Sequence, residues 1–247
     1  MTRQTAAIIL AAGKGTRMES DLPKVLFPLL GRSLLDHVLD SVMAAGFDRT
    51  VVIVGHQADR VREAVKDRDV RCALQEPQLG TGHAVQCAMP ELEGFAGDLA
   101  VLAGAAPLIR PATLKAMMRR HQDSRSAVTI LTAMLPDATG YGRILRDAAG
   151  TVTGIVEHRD ATEAQRQVRE INSSIYAFDA GFLAGALPRL KAANDQAEYY
   201  LTDTVAMAVG EGLRVEGVVV EDHREVLGIN TREHLEEARN ILESRAG

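Results

Sequence analysis

Five short aliphatic runs punctuate the first half of the chain: AAIIL (6–10), TVVIV (50–54), VRCAL (70–74), LAVL (99–102) and AVTILTA (127–133). Most lack polar alternation, so as strands they are apolar on both faces and must be covered on both. Helical patterns fill the gaps. SLLDHVLDSVMAAG (33–46) sets Leu34, Leu35, Val38, Leu39 and Val42 at helical spacing, with Gly46 as its stop. ADRVREAVK (58–66) and PATLKAMMRRH (111–121) follow the same period, and Pro111 stands where a first helical turn accepts proline. Strand–helix alternation of this kind predicts an α/β fold: a mostly parallel central sheet with helices on both faces.

The pattern changes at about residue 140. GRILRD, TVTGIVEH and INSSIYAF read as consecutive strands, with the charged RDATEAQRQVRE between two of them. They predict a small antiparallel excursion at the edge or end of the sheet. YYLTDTVAMAVGEG and TREHLEEARNILESR return to helices, the second with Leu235, Ala238, Ile241 and Leu242 on one face. The run LAVLAGAAPLI reads as a buried strand stopping at Pro107. No repeat or linker is evident, so 1–247 is expected to be one domain.

Composition removes several function classes. A net charge of −5 lacks the basic footprint of a nucleic-acid binder, and 4% aromatic residues with no Trp offer no stacking platform. Cys72 and Cys87 have no CxxC spacing, which predicts two reduced, half-buried thiols rather than a disulfide or a thiolate metal site. No apolar run approaches membrane-spanning length, and MTRQTAAIILAAGKG is too short in apolar residues for a secretory leader. A cytoplasmic protein with no nucleic-acid or membrane partner is expected.

The first strand runs directly into LAAGKGTRMESDLPK (10–24). Gly13 and Gly15 let the backbone turn tightly and present N–H groups to an anion. Lys14, Arg17 and Lys24 add positive charge, and Pro23 stiffens the approach to Lys24. Neither a Walker A loop nor GxGxxG is present. By itself a GxG beside lysines also describes a solvated basic loop.

The whole string resembles the LAAGxGTRMxSxxPK signature of sugar-1-phosphate nucleotidyltransferases, which join a nucleoside triphosphate to a sugar phosphate and release pyrophosphate. The resemblance implies a Rossmann-like fold with an added sugar-binding lobe. Leu10, Ala11, Ala12, Gly13 and Gly15 would lie along the nucleotide, and Arg17 and Lys24 would be the catalytic charges on its phosphates. LQEPQLGTGHAV (74–85) resembles the uracil-reading segment of the family's N-acetylglucosamine-1-phosphate uridylyltransferases. Gln75 would face the base edge, Gly80 and Thr81 would contact it, and Ala103 and Gly104 would complete the nucleotide site. On its own, this segment also reads as a loop capping the next helix, and His83 as a helix-surface histidine.

TGYGRI (139–144), GIVEHRDAT (154–162), EIN (170–172) and EYYLTD (198–203) match the same family in order, so the resemblance covers nearly the whole chain. It implies a backbone contact from Gly142, sugar hydrogen bonds from Glu157 and Asn172, and a pocket wall from Tyr200 and Thr202. Each also has a plainer reading: Glu157 as a surface carboxylate, Asn172 as a turn residue, Tyr200 as a core aromatic. Residues 1–135 would then be the nucleotide-binding part, 136–230 the sugar-binding lobe and 231–247 a C-terminal helix.

Two positions bear on the Mg²⁺ that the resemblance implies. Asn230, followed by Glu233 and an apolar-striped helix, reads as an N-cap with a reciprocal partner; the family uses this Asn as a metal ligand. The second ligand would be the Asp of a [Y/A]GDxPLI pattern, but the chain reads AGAAPLI, with Ala105 at the Asp position. A methyl group coordinates nothing, so uridylyl transfer from UTP to N-acetylglucosamine 1-phosphate, giving UDP-N-acetylglucosamine, is expected to be impaired. The intact neighbouring motifs favour an engineered replacement over a natural nucleotide-sugar-binding paralogue. Cytidylyl- and guanylyltransferases are the nearest enzymatic rivals. No hexapeptide repeats of the family's acetyltransferase half follow before Gly247, so acetyl transfer is not expected of this chain, and self-association is left open.

Overall fold

A computed structural model describes residues 3–15, 18, 20–194 and 196–246. Strand β1 (Thr5–Leu10) is followed by the short β2 (Pro28–Leu29) and β3 (Arg32–Ser33), which pair only with each other. Helix α1 (Leu34–Ala45) starts at a capping box, the Ser33 hydroxyl accepting from the Asp36 N–H and the Asp36 carboxylate accepting from the Ser33 N–H. It stops at Gly46, whose φ of 84° is the left-handed conformation a helix end requires and glycine adopts without strain. β4 (Arg49–Val54), α2 (Ala58–Val65), β5 (Arg71–Leu74), α3 (Thr81–Ala88), β6 (Asp98–Ala103), α4 (Pro111–Ser124) and β7 (Val128–Met134) continue the alternation. Pro111 does occupy the first turn of α4. The second half contributes β8 (Arg143–Arg146), β9 (Val152–Val156), α5 (Glu163–Arg166), β10 (Glu170–Asp179), α6 (Ala180–Ala186), α7 (Asp203–Gly210), β11 (Val215–Val219) and α8 (Arg232–Ala246).

The main sheet runs in the order β11-β7-β10-β6-β1-β4-β5, with β8 and β9 attached beyond β10. β1 pairs in parallel with both β4 and β6, and β4 with β5. The chain moves from β1 outward through β4 and β5, then returns to the other side of β1 as β6. That reversal opens a crevice past the carboxyl ends of β1 and β6, where open α/β sheets bind ligands.

Successive β1 residues face opposite layers, as the two-sided apolar pattern requires. Ile9 belongs to the same buried cluster as Leu35, Val38 and Leu39 of α1 and Leu102, whereas Ile8 belongs to the cluster of Val85 of α3, Val101, Phe178 and Leu183. Both isoleucines are fully buried.

The antiparallel excursion is placed differently from the sequence expectation. β10 does not border the sheet; it inserts between β6 and β7, antiparallel to both. Its composition explains the position. Ile175, Ala177, Tyr176 and Phe178 alternate across the strand yet are all apolar or aromatic and buried, so both faces need cover. Only the β8–β9 hairpin stands off the main sheet, joined to β10 by the pair Ile171 and Arg143.

Smaller differences have local causes. β6 ends at Ala103 rather than at Pro107, because the Ala106 N–H turns back to the Ala103 carbonyl. Tyr199, Tyr200 and Leu201 precede α7 instead of joining it. Cys72 and Cys87 are free and half-buried, as expected. Among the described residues, no helix is long and apolar enough to cross a membrane.

Candidate functional site

The loop after β1 lies at the mouth of the crevice. The Ala11 N–H donates to Ile53 and the Ala12 carbonyl accepts from His56, so both alanines are tied to the β4 side and buried. Gly15 has a φ of +63°, and a Cβ there would stand 2.5 Å from Lys24 Cβ. Only glycine lets the loop fold over Lys24 at this point. Gly13 differs, since among the described residues no atom lies within 4 Å of where its Cβ would be. Arg17 lies outside the described residues.

Lys24 reaches into a cavity of about 240 Å³ that gathers Ala103, Ala105, Gly142, Glu157, Asn172 and Asn230. These residues come from positions as far apart as 24 and 230, and only the fold assembles them. The Lys24 ammonium donates to Asn230 Oδ1 at 3.0 Å, and the Ile229 N–H donates to the Ala105 carbonyl at 2.8 Å. The second bond fixes Asn230 next to Ala105.

Asn230 is not the cap of α8. Thr231 holds that place: its hydroxyl accepts from the His234 N–H and its carbonyl from the Leu235 N–H. Glu233 bonds to the Thr231 hydroxyl, which holds its carboxyl below the usual range. The helix begins at Arg232, one residue later than Asn230 capping needs, so the Asn230 amide turns to Lys24.

Glu157 follows β9, and its carboxyl oxygens lie 3.3 and 3.4 Å from where a Gly142 Cβ would stand, so any larger residue at 142 would crowd it. Burial pushes the Glu157 carboxyl above its usual range, with Asp160 and Asp203 adding to the shift and a bond from Thr202 opposing it. Glu157 is therefore no ordinary surface carboxylate. Asn172 is 5% exposed at a bulge in β10, its Nδ2 donating to the Tyr176 hydroxyl at 2.7 Å and its Oδ1 accepting from the Ser174 N–H at 3.1 Å. Its backbone N–H donates to the Gly142 carbonyl at 2.9 Å, holding hairpin and bulge together. Tyr200 accepts a bond from Gln196 and is half-buried, outside the core clusters.

The 74–85 segment is set apart from this cavity and tied to residues 198–201. The Gly82 N–H donates to the Tyr199 carbonyl at 2.7 Å, the Tyr199 N–H to Leu79 at 2.8 Å and the Leu201 N–H to the Thr81 hydroxyl at 3.1 Å. Gly80 adopts a φ of +103°, and a Cβ there would stand 2.7 Å from the Tyr199 carbonyl oxygen. Gln75 is nearly buried and donates to the Gly80 carbonyl.

The cavity also exposes Tyr141, Ser173, Ser174, Val226 and Gly228, which sequence reasoning did not single out. Tyr141, Ser173 and Ser174 lie inside quoted motifs and Val226 and Gly228 just before Asn230, and that neighbourhood is the signal that could have found them. A larger cavity of about 770 Å³ opens at the opposite end of the strands, beside Arg3, His121 and Arg214. None of the motif residues reaches it.

Magnesium prefers hard oxygen ligands, commonly one or two of them carboxylates. At residues 105 and 230 this chain presents one methyl group and one neutral amide oxygen, the latter already accepting from an ammonium. Among the described residues, no group of three or more His, Cys, Asp or Glu could hold a metal ion. The donor set does not fit a firmly held Mg²⁺.

The MobA-like NTP transferase domain matches residues 7–168. The chain is 49% identical over 241 residues to the bifunctional protein GlmU of Pelobacter propionicus, covering 97% of this chain and 52% of that protein. It is 50% identical over 250 residues to the protein of the same name from Thermobifida fusca, covering 99% and 52%. The chain thus spans about half the length of the curated relatives it matches. A solved nucleotidyl transferase from Methanothermobacter superposes with a TM-score of 0.67 at 23% identity, covering 98% of this chain and 99% of that one, which speaks for the fold. The family model covers well over half of the chain, and the chain belongs to the MobA-like NTP transferase family.

Proposed function

We propose that this chain carries the site for uridylyl transfer from UTP to N-acetylglucosamine 1-phosphate, weakened by Ala105. The observation that carries the proposal is the meeting of Lys24 and Asn230 with Gly142, Glu157 and Asn172 in one cavity past the strand ends. The lining combines a cationic group with side chains able to accept from and donate to sugar hydroxyls, as a sugar phosphate requires.

In the reaction, an oxygen of the sugar phosphate attacks the α-phosphorus of UTP. A new P–O bond forms as the bond to the β-phosphate bridging oxygen breaks, and pyrophosphate leaves with that electron pair. The attacking oxygen is already anionic at neutral pH, so no general base is needed. Catalysis comes from alignment and charge neutralisation. Lys24 supplies positive charge to the phosphates, and Arg17 supplies more by its place in the same loop. Leu10, Ala11, Ala12, Gly13, Gly15, Ala103 and Gly104 bed the nucleotide along the strand ends, with Gln75, Gly80 and Thr81 at the base. Glu157, Asn172, Gly142, Tyr200 and Thr202 take the sugar. The family's Mg²⁺ would add Lewis-acid charge neutralisation, which Ala105 and Asn230 are poorly equipped to hold.

Calorimetric titration with UTP, CTP and GTP, followed by pyrophosphate release with N-acetylglucosamine 1-phosphate and glucose 1-phosphate, tests the assignment. UTP should bind best and transfer slowly to the N-acetylated sugar. Tighter binding of CTP or GTP would overturn it. The missing carboxylate favours a second reading, a nucleotide-sugar-binding protein without turnover. In that case Ala105→Asp would leave binding as it was and bring no catalysis. An Asp codon at 105 in the parent gene would mark Ala105 as engineered.

A further inference from the structure

The Gln75 side chain leads to one residue beyond this reading. Its Nε2 lies 2.9 Å from the Gly80 carbonyl oxygen. A carbonyl can only accept, so the amide's NH₂ end must point there and Oε1 must point away. The same nitrogen lies 3.4 Å from His83 Nδ1, the only other side-chain partner it has among the described residues. An NH₂ group carries two hydrogens, and the second suits His83 Nδ1 only if that ring nitrogen is unprotonated.

The ring's other edge agrees. His83 and Cys87 share one face of α3 at i and i+4 spacing, with His83 Nε2 3.7 Å from Cys87 Sγ. Burial pushes the Cys87 thiol up, keeping a neutral sulfur there. A proton on Nε2 points at that weak acceptor and leaves Nδ1 open towards Gln75. The reverse tautomer would set an N–H against the amide N–H. The ring is further bounded by Tyr199, with centroids 6.5 Å apart.

We propose that His83 is a positioning residue for base selection: by accepting from Gln75 it holds the amide with both N–H groups engaged and Oε1 alone turned to the nucleobase. This rests on the reading that Gln75 faces the base. A lone acceptor suits the N3–H of uracil and opposes the N3 lone pair of cytosine, a pyrimidine of the same size. Selection then comes from the amide's imposed orientation rather than from its capacity to flip.

The test measures binding of UDP and CDP by calorimetry to the unmodified chain, His83→Leu and His83→Asn, so that turnover plays no part. The unmodified chain should favour UDP. His83→Leu, which removes the acceptor, should shrink the UDP-to-CDP preference about tenfold, the scale of one buried amide hydrogen losing its partner. His83→Asn, whose Oδ1 can replace Nδ1 as acceptor, should keep most of the preference. A merely structural role for His83 would weaken both nucleotides together and leave their ratio alone. An unchanged ratio in His83→Leu, or an equal loss in His83→Asn, would overturn the proposal while the uridine reading stands. Absence of any UDP preference in the unmodified chain would overturn the uridine reading and this inference with it.

Discussion

Replacing Ala105 with aspartate puts an anionic oxygen where the cavity now presents a methyl group. Ala105 is 3% exposed, and its carbonyl anchors Ile229, so the new side chain projects beside Asn230 and the Lys24 ammonium. A carboxylate about 4 Å from an ammonium gains roughly 4 kcal/mol at an effective dielectric constant near 20. Removing that carboxylate from water costs several kcal/mol. The two nearly cancel, so the variant should fold with little change in stability. The rate should change far more. Losing a single charge-stabilising group commonly costs about 10²–10³ in turnover, or about 2.7–4 kcal/mol. Ala105→Asp should therefore raise uridylyl transfer by about 10² or more, with a dependence on added MgCl₂ stronger than that expected of the unmodified chain. Pyrophosphate release at saturating UTP and N-acetylglucosamine 1-phosphate, with a thermal melt to verify folding, measures it. A folded Ala105→Asp protein with unchanged turnover would refute the assignment of position 105 as a metal-ligand site.

If Glu157 holds the sugar as proposed, its raised carboxyl should make sugar-phosphate binding pH-dependent. An ionised carboxylate accepts more strongly from sugar hydroxyls than the neutral acid, so affinity should weaken as pH falls through a value above the ordinary carboxylate range, and Glu157→Gln should remove that dependence. Its effect on stability has the opposite sign: the folded state holds this proton more tightly than the unfolded chain, so stability contributed here declines as pH rises through the same window. Asp222 behaves conversely. Bonds from Arg224, with Arg245 adding to them, hold its carboxyl far below the usual range, so its contribution is present above the unfolded value and is lost on acidification. Asp222→Asn should cost about 1–3 kcal/mol by denaturant titration at pH 7, a difference that starts to shrink only as pH falls below the ordinary carboxylate range. Phe178→Ala, at a fully buried site in β10, should cost about 3–5 kcal/mol, whereas a β10 loosely appended to the sheet would lose far less.

Much of the architecture was legible because it is written in local periods. The two-sided apolar runs marked β1, β4, β5, β6 and β7 to within a residue or two, and Gly46 marked the end of α1. β10 was recognised as a strand but set at the sheet's edge, although its own residues argued for a centre. INSSIYAF is apolar on both faces from Ile175 onward, and an edge strand leaves one side uncovered. β11 was missed: VEGVV is short, interrupted by a glutamate and a glycine, and becomes a strand by pairing along β7.

The candidate site divides in the same way. The resemblance to sugar-1-phosphate nucleotidyltransferases names Lys24, Gln75, Glu157, Asn172 and Asn230, and the sequence itself shows that no carboxylate stands at 105. What each side chain does with its hydrogen bonds was beyond them. Asn230 and Thr231 are adjacent and both able to cap a helix, and only the point where α8 starts assigns the cap to Thr231 and turns Asn230 to a lysine 206 positions away. An amide such as Gln75 is donor and acceptor at once in sequence; the Gly80 carbonyl and His83 decide which end faces out. Local patterns determine secondary structure because they act between neighbours. The sharing of a few donors and acceptors among distant residues is settled only when the packed sheet brings them within bonding distance.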